Sequence, residues 1–344
     1  MTEQPTLTDG EVTLRPWRDT DVEAAVSGHD EVIAQWVGDS ASPSHDRHRA
    51  AVAGWRSGSA DGSVLNFVIE RDGQVVGNCE VRRESDTTGE LSWTLYAGHR
   101  GRGSAARAVR MLADWALTAT GQGGLGVGRV QASVEPANEA ALRVATRSGL
   151  RREGVRRVVP GTGARAEATE YVVLARLATD PPLSNPEAFR TLLNSFLPRK
   201  RAISQMLVRD PAGRVLLCQL TYKPDWDLPG GVVEVGESPR DAVSREVEEE
   251  LGLTISAGAL VLTDWLPAWS GWDDAVCLVF DGGILDPAEL ERIVRQEREI
   301  RSAEFCDPAQ VRSRATDFTA RRIEAALSNV DGASGNYAES GRPS

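Results

Sequence analysis

The chain has 344 residues, 41% of them hydrophobic and 26% charged, as in soluble globular protein of about two domains. Fifty acidic residues against 39 basic ones give a net charge of −11, which argues against nucleic acid as a partner. No apolar run approaches the ~20 residues that span a bilayer, and the opening MTEQPTLTDGE lacks the basic-then-apolar order of a secretory signal. No membrane partner and a cytoplasmic location are therefore expected. Cys79, Cys218, Cys277 and Cys306 lie far apart without metal-type spacing. All four histidines, His29, His45, His48 and His99, precede residue 100, so general-base chemistry in the second half falls to carboxylates.

In chain order, Val12–Trp17 reads as a strand and Asp19-Thr20-Asp21 as a helix cap. Residues 38–62 are rich in Gly, Ser, Ala and Asp and read as loop. Leu65–Glu70 and Val75–Val81 form a hairpin about Arg71-Asp72-Gly73, and Glu90–Tyr96 alternates as a further strand. Gly98-His-Arg-Gly-Arg-Gly-Ser-Ala105 then opens a helix whose apolar stripe is Ala105, Val109, Leu112 and Ala116. A strand, a Gly-rich turn and a helix N-terminus make an anion site, because free backbone N–H groups and the helix dipole favour phosphate. A solvent-facing turn is the plainer reading of the same residues. Arg129–Val134 is a strand, Asn138 starts a helix that ends at Ser148-Gly149-Leu150, and residues 155–159 and 170–177 complete the strands.

The Arg100-x-x-Gly103-x-Ala105 element, the helix begun by Asn138, Gly149-Leu150 and the opening LRPW together resemble the GNAT acetyltransferases, over about residues 8–178. The closest likeness is to the branch that acetylates ribosomal proteins. The resemblance implies acetyl-CoA as cosubstrate, lying between two splayed strands. Leu95, Tyr96, Arg100, Gly101, Arg102, Gly103, Ser104, Ala105 and Asn138 would then bind it. Backbone N–H near Leu95 and Tyr96 would polarise the thioester carbonyl, and Glu90 would serve as base for the amine, with a structural carboxylate as the competing role. Asn138 also suits a plain N-cap. Related sequences often carry a serine three residues after that asparagine, where this chain has Ala141; Tyr171 or a water could substitute.

Ala178–Pro186 is a Pro-rich break, followed by a short helix over Glu187–Phe196. Ala202–Val208 and Val215–Gln219 flank a turn at Asp210–Gly213, and Trp226-Asp-Leu-Pro229 leads into GGVVEVGESPRDAVSREVEEELGL. Ser238 reads as N-cap, Pro239 as the first helical residue, Asp241 as the capping-box partner and Gly252 as the stop. Val243, Val247 and Leu251 form a buried stripe. Glu246, Glu249 and Glu250 crowd an adjacent face, which makes sense if a hard divalent cation, Mg²⁺ or Mn²⁺, sits among them.

Gly231, Glu237, Arg245-Glu246-Val247, Glu249-Glu250 and Gly252-Leu253 match every defined position of the Nudix hydrolase box, and the resemblance spans about residues 199–327. It implies Glu246, Glu249, Glu250 and the carbonyl of Gly231 or Gly230 as metal ligands, with Glu246 also acting on water. Arg245 and Glu237 would brace the loop. Glu299 is the candidate for one further catalytic carboxylate, with Glu297 the alternative. Trp226, Trp265, Trp269 and Trp272 could stack on a base or belong to the core. Pro267 lies near, but about one residue short of, the proline spacing of ADP-ribose-cleaving members.

The expected fold is α/β (α+β) in two domains, a GNAT acyl-CoA N-acyltransferase fold followed by a Nudix α/β/α sandwich. The expected bounds are 1–180, a linker at 181–198, 199–328, and a disordered tail at 329–344. The expected function joins an N-acetyltransferase to a Mg²⁺-dependent hydrolase of an ADP-ribose-like compound or a nucleoside triphosphate. The alternative is an active hydrolase with a non-catalytic CoA-binding module. Expected partners are small molecules: acetyl-CoA, an amine acceptor and a nucleoside diphosphate derivative. The oligomeric state is not legible.

Overall fold

Alternating apolar residues build a sheet in each half of the chain, and each half carries its own core. The structure, a computed structural model, describes residues 4–37, 44–158, 169–222, 224–292, 295–296, 298–330, 332 and 336–343. The chain divides between Leu197 and Pro198. No helix among the described residues is long and apolar enough to cross a membrane.

The first unit runs β1 (Leu7–Thr8), β2 (Val12–Arg15), α1 (Val22–Gly28), α2 (Glu31–Val37), α3 (His45–Asp61), β3 (Val64–Arg71), β4 (Gln74–Arg83), β5 (Thr88–Leu95), α4 (Ser104–Leu117), β6 (Arg129–Val134), α5 (Glu139–Arg147), β7 (Arg151–Val158), β8 (Thr169–Leu177) and α6 (Pro186–Phe196). Its sheet has the order β1-β2-β3-β4-β5-β6-β8-β7. Within this sheet, among the described residues, only β5 and β6 pair in parallel, and only through Thr88↔Arg129, Gly89↔Val130 and Glu90↔Gln131. Beyond those rungs the two strands separate and the sheet opens. On one face, Phe67, Cys79, Val81 and Leu91 pack with the fully buried Val109, Leu112 and Ala116 of α4.

One expectation fails here. Residues 45–61 are not loop but α3, capped by the Ser44 hydroxyl at the Arg47 N–H and closed by Gly62 with φ 78°. Its alanines favour helix, and Val52 gives it one deeply buried contact, 3% exposed; residues 38–43 of that expected loop lie outside the described residues. The short helix expected over Glu187–Phe196 is α6, whose Ala188 and Leu192 are buried and whose Ser195 hydroxyl accepts the Arg152 N–H.

The second unit runs β9 (Arg201–Arg209), β10 (Val215–Leu220), β11 (Trp226–Asp227), β12 (Gly230–Val232), α7 (Pro239–Leu251), β13 (Leu260–Leu266), β14 (Ala275–Ile284), β15 (Ile300–Cys306), α8 (Pro308–Arg314), α9 (Asp317–Val330), β16 (Tyr337–Glu339) and β17 (Arg342–Pro343). The strand order is β11-β10-β9-β14-β13-β16-β17, with β12 also on β9 and β15 on β10. Two separate cores mark a sandwich. Val243, Val247 and Leu251 of α7 cover one sheet face with Met206 and Leu216. Ile323 and Ala326 of α9 cover the other with Leu207 and Val279.

The expected disordered tail is corrected for its described part. Tyr337–Glu339 pairs in parallel with β13, Ala338 is fully buried, and the Gly341 N–H donates to Asp264 at 2.9 Å. Backbone hydrogen bonds hold this stretch, and polar composition does not reveal them. All four cysteines are buried free thiols.

Candidate functional site

In the first unit the opening between β5 and β6 becomes a cleft of about 820 Å³. Leu91–Leu95 forms one wall and Ala132–Val134 the other, with Gly101, Gly103 and Ala105 at one end. Gly101 and Gly103 both have φ near 80°, a backbone that side chains other than glycine's resist. Gly103 is the N-cap of α4 and no side chain caps that helix, so its first-turn N–H groups are left for an anion. Arg71 secures the turn by donating to the Arg102 carbonyl at 2.8 Å and to the Ser104 hydroxyl at 3.1 Å.

The expected residues divide. Leu95, Arg100, Gly101, Gly103, Ala105 and Asn138 line the cleft. Arg102 and Ser104 belong to the turn beside it. Asn138 caps α5 by accepting the Ala141 N–H at 3.1 Å. Arg100 is not a free cation: its guanidinium forks onto Asp30 at 2.7 and 2.8 Å, and its Nε donates to the Leu95 carbonyl. That pairing draws the Asp30 carboxyl down to about 2.

Tyr96 cannot polarise a carbonyl with its N–H, which donates to Val76 at 2.9 Å. Ladder bonding alternates along a strand, so the backbone of Leu95 faces the opening instead. Glu90 is also displaced from its expected role. Its register partners are Arg82 and Gln131, where β5 and β6 still pair, and it does not line the cleft. Glu80 does line it, 7% exposed, and sequence reading passed over it. Tyr171 and Ala141 line the cleft as well.

In the second unit, Gly230 and Gly231 pair with Gln205 and Ser204 of β9 and bring the loop against α7. The Gly230 N–H donates to Glu250 at 3.1 Å. A Cβ on Gly231 would stand 2.5 Å from the Glu246 carboxyl carbon, so any other residue there must push that carboxylate aside. The Ser238 hydroxyl accepts the Asp241 N–H at 3.2 Å and itself donates to the Asp241 carboxylate at 2.7 Å. Arg245 clamps Glu237 with two bonds of 2.9 and 3.1 Å, as a brace should. It also donates to Glu246 at 3.1 Å and to Glu249 at 3.0 Å.

Burial raises the Glu250 carboxyl to about 8, and the charges of Glu246, Glu299 and Asp227 push the same way. Burial raises Glu246 too. The charge of Glu299 is felt at both Glu246 and Glu250; Glu297 lies outside the described residues. Among the described residues no three His, Cys, Asp or Glu side chains form a ready ligand cage, and Arg245 pairs with both Glu246 and Glu249. The donor set nevertheless fits a hard divalent cation. It consists of carboxylate oxygens alone, it buries excess negative charge, and the missing Cβ at Gly231 leaves its backbone open to Glu246.

The tryptophans do not form one core. Trp269 and Trp272 are 59% and 55% exposed. Arg201 lies 4.7 Å over the Trp272 ring and Arg314 lies 4.5 Å over Trp226.

Comparison with known proteins follows this division. Residues 11–151 match the family model of the acetyltransferase (GNAT) domain, and residues 198–327 match that of the NUDIX domain. A MutT-like protein of Streptomyces ambofaciens is 37% identical over 90 residues, 26% of this chain and 48% of that protein. The uncharacterized N-acetyltransferase p20 of Bacillus licheniformis is 27% identical over 103 residues, 29% of this chain and 55% of that protein. A putative 8-oxo-dGTP diphosphatase of Bacillus subtilis (strain 168) is 38% identical over 56 residues, 16% of this chain and 38% of that protein. The chain spans about half the length of the first two of these relatives and less of the third.

Proposed function

Because this chain carries a GNAT acetyltransferase domain followed by a NUDIX domain, we propose that it is an enzyme with two activities. The first unit transfers acetyl from acetyl-CoA to an amine. The second hydrolyses a phosphoanhydride of a nucleoside phosphate with a divalent metal, Mg²⁺ or Mn²⁺.

For the first unit, the opening of the sheet after Glu90↔Gln131 beside the uncapped start of α4 carries the reading. A pantetheine arm fits between the separated strands, and the turn at Gly101–Ala105 takes the pyrophosphate. Leu95 offers backbone to the thioester. Equilibrium binding of acetyl-CoA, followed by CoA thiol release with added amines, tests it. Ala141 in the cleft wall favours one second reading, a module that binds CoA without turnover. Acetyl-CoA binding with no release in an amine panel selects that reading.

For the second unit, the crowding of Glu250 with Glu246 and Glu299 carries the reading. Glu246, Glu249, Glu250 and the carbonyl of Gly231 or Gly230 would hold the cation. When bound, it neutralises phosphate charge and acidifies water. Glu299 would receive a proton from that water, and Arg245 keeps the Gly-rich loop on α7 through Glu237. The name of the Bacillus subtilis relative favours a nucleoside triphosphate as substrate over an ADP-ribose-like one. A screen of nucleoside triphosphates and ADP-ribose with Mg²⁺, repeated with Glu249→Gln and Glu250→Gln, decides it. Undiminished phosphate release from the double variant refutes the assignment.

A further inference from the structure

The sheet face opposite α4 carries an unusual inner row. On β3 and β4, Asn66, Asn78, Glu80 and Arg82 share that face and all line the cleft. Asn66 and Glu80 are only 2% and 7% exposed. A strand face turned inward is ordinarily apolar, and buried polar groups are kept where every bond is made.

These bonds form a fixed chain. The Trp17 indole N–H donates to Asn66 Oδ1 at 2.8 Å, so the Asn66 amide must present its Nδ2, which donates to Glu80 at 2.9 Å. The other Glu80 oxygen accepts from Arg82 at 3.1 Å, while the Arg82 side chain is itself 59% exposed. Trp17 is buried and stacks on Trp55 at 5.1 Å. Trp55 of α3, with Ile33 and Trp36 of α2, walls the cleft over this row.

Glu80 also lies close to the opening. Its partner across the ladder is Ser92, next to Trp93 on the strand that loses β6. Rung partners in such a pair lie about 5 Å apart at Cα, so a glutamate side chain on Glu80 reaches the separated wall. The other carboxylate in the lining, Glu135, follows β6, the strand across the opening from β5. Glu90 is two residues further from the opening than Ser92.

We infer that Glu80 is the catalytic residue that receives the acceptor amine of the acetyl transfer, that Asn66 and Trp17 position it, and that the acceptor is a singly charged amine on a flat or apolar frame. The inference rests on the acetyl-transfer reading above. The acceptor enters as an ammonium. Glu80 takes one of its protons and passes it to solvent. The amine lone pair then forms the C–N bond at the acetyl carbonyl. Collapse breaks the C–S bond, and the departing thiolate takes the second ammonium proton as CoA–SH. The indole wall of Trp36 and Trp55 receives the carbon frame. A polyamine finds a single carboxylate on this inner row among the described residues, which leaves its other charges without partners.

The test uses the full chain with acetyl-CoA and two defined acceptors, 2-phenylethylamine and spermidine. The expected kcat/KM for 2-phenylethylamine is about tenfold above that for spermidine. Glu80→Gln lowers kcat about 100-fold, with acetyl-CoA affinity unchanged. Glu80→Asp keeps the charge and the fold but shortens the reach, and should lose about tenfold. Asn66→Leu should lower kcat while the acetyl-CoA affinity stays unchanged, a split that a purely structural role would not give. Glu90→Gln should stay within about twofold of wild type. Preference for spermidine, or a Glu80→Gln or Glu80→Asp rate within that twofold, overturns the inference. Acetyl-CoA binding with no acetylation of either amine overturns it as well. Absence of acetyl-CoA binding instead overturns the reading beneath it.

Discussion

Single residues carry both sites, and Gly231 shows how narrowly. The space a Cβ would need there is taken by the Glu246 carboxyl. Gly231→Ala should therefore displace Glu246 and cost about 10- to 100-fold in divalent-metal affinity, measured by Mn²⁺ titration, with the circular dichroism spectrum retained. Arg100 allows a second prediction, this one on pH. Its fork lowers the Asp30 carboxyl from 3.8 to about 2. A carboxylate with a depressed folded value stabilises above its unfolded value and loses that contribution as pH falls through the folded one. The Asp30–Arg100 latch should hold at pH 4 and release near pH 2, and an NMR titration of the Asp30 carboxyl should give a midpoint near the lower figure. A midpoint at the ordinary aspartate value would mean that Arg100 is free for phosphate. Sequence spacing placed Glu246, Glu249, Glu250, Arg245 and Glu237 together because all belong to one helix and its leading loop. It pointed to Glu90 and passed over Glu80. Both alternate onto the same sheet face, and only the rung at which β6 leaves β5 separates them.

At the scale of elements, legibility follows periodicity. The stripes of α4 and α7 repeat at helical spacing and were readable. Helix α3 was not, since Ala, Gly and Ser give it little apolar pattern. The C-terminal strand was not, because backbone bonds hold it: Thr263 N–H to Asn336, Ser340 N–H to Trp265 and Gly341 N–H to Asp264. Asp264 is fully buried and pairs with Arg322 at 2.8 Å, and Arg322 also reaches Gln205 at 3.0 Å. Each of these three is far from the others in sequence, so no local pattern announces the network. Removing residues after Asn336 should strip one donor from a buried carboxylate and cost roughly 1–3 kcal/mol. Arg322→Ala leaves Asp264 without its counter-charge and should cost more, about 3–5 kcal/mol. Urea denaturation of the second unit checks both, and the order of the two losses is part of the prediction.

At the scale of the whole molecule, the two units have separate cores, and the question is where the first one ends. Composition places the break at 178–186, where Pro and polar residues cluster. Packing places it between Leu197 and Pro198. The difference is α6, which starts with Asn185 as N-cap and Pro186 at its first turn. Ala188 and Leu192 are buried, Phe196 packs on the first core, and Ser195 satisfies the Arg152 N–H on β7. A fragment of residues 1–197 keeps all of these contacts, whereas a fragment ending at residue 180 loses them and uncovers the face of β7 beneath. Loss of buried Leu192 alone is comparable to a large-to-small core substitution, about 2–5 kcal/mol. The longer fragment should unfold in one cooperative transition and bind acetyl-CoA as the full chain does. The shorter one should unfold at markedly lower urea, or fail to fold. Equal midpoints for the two would show that α6 is a connector, and that the composition break is the true boundary.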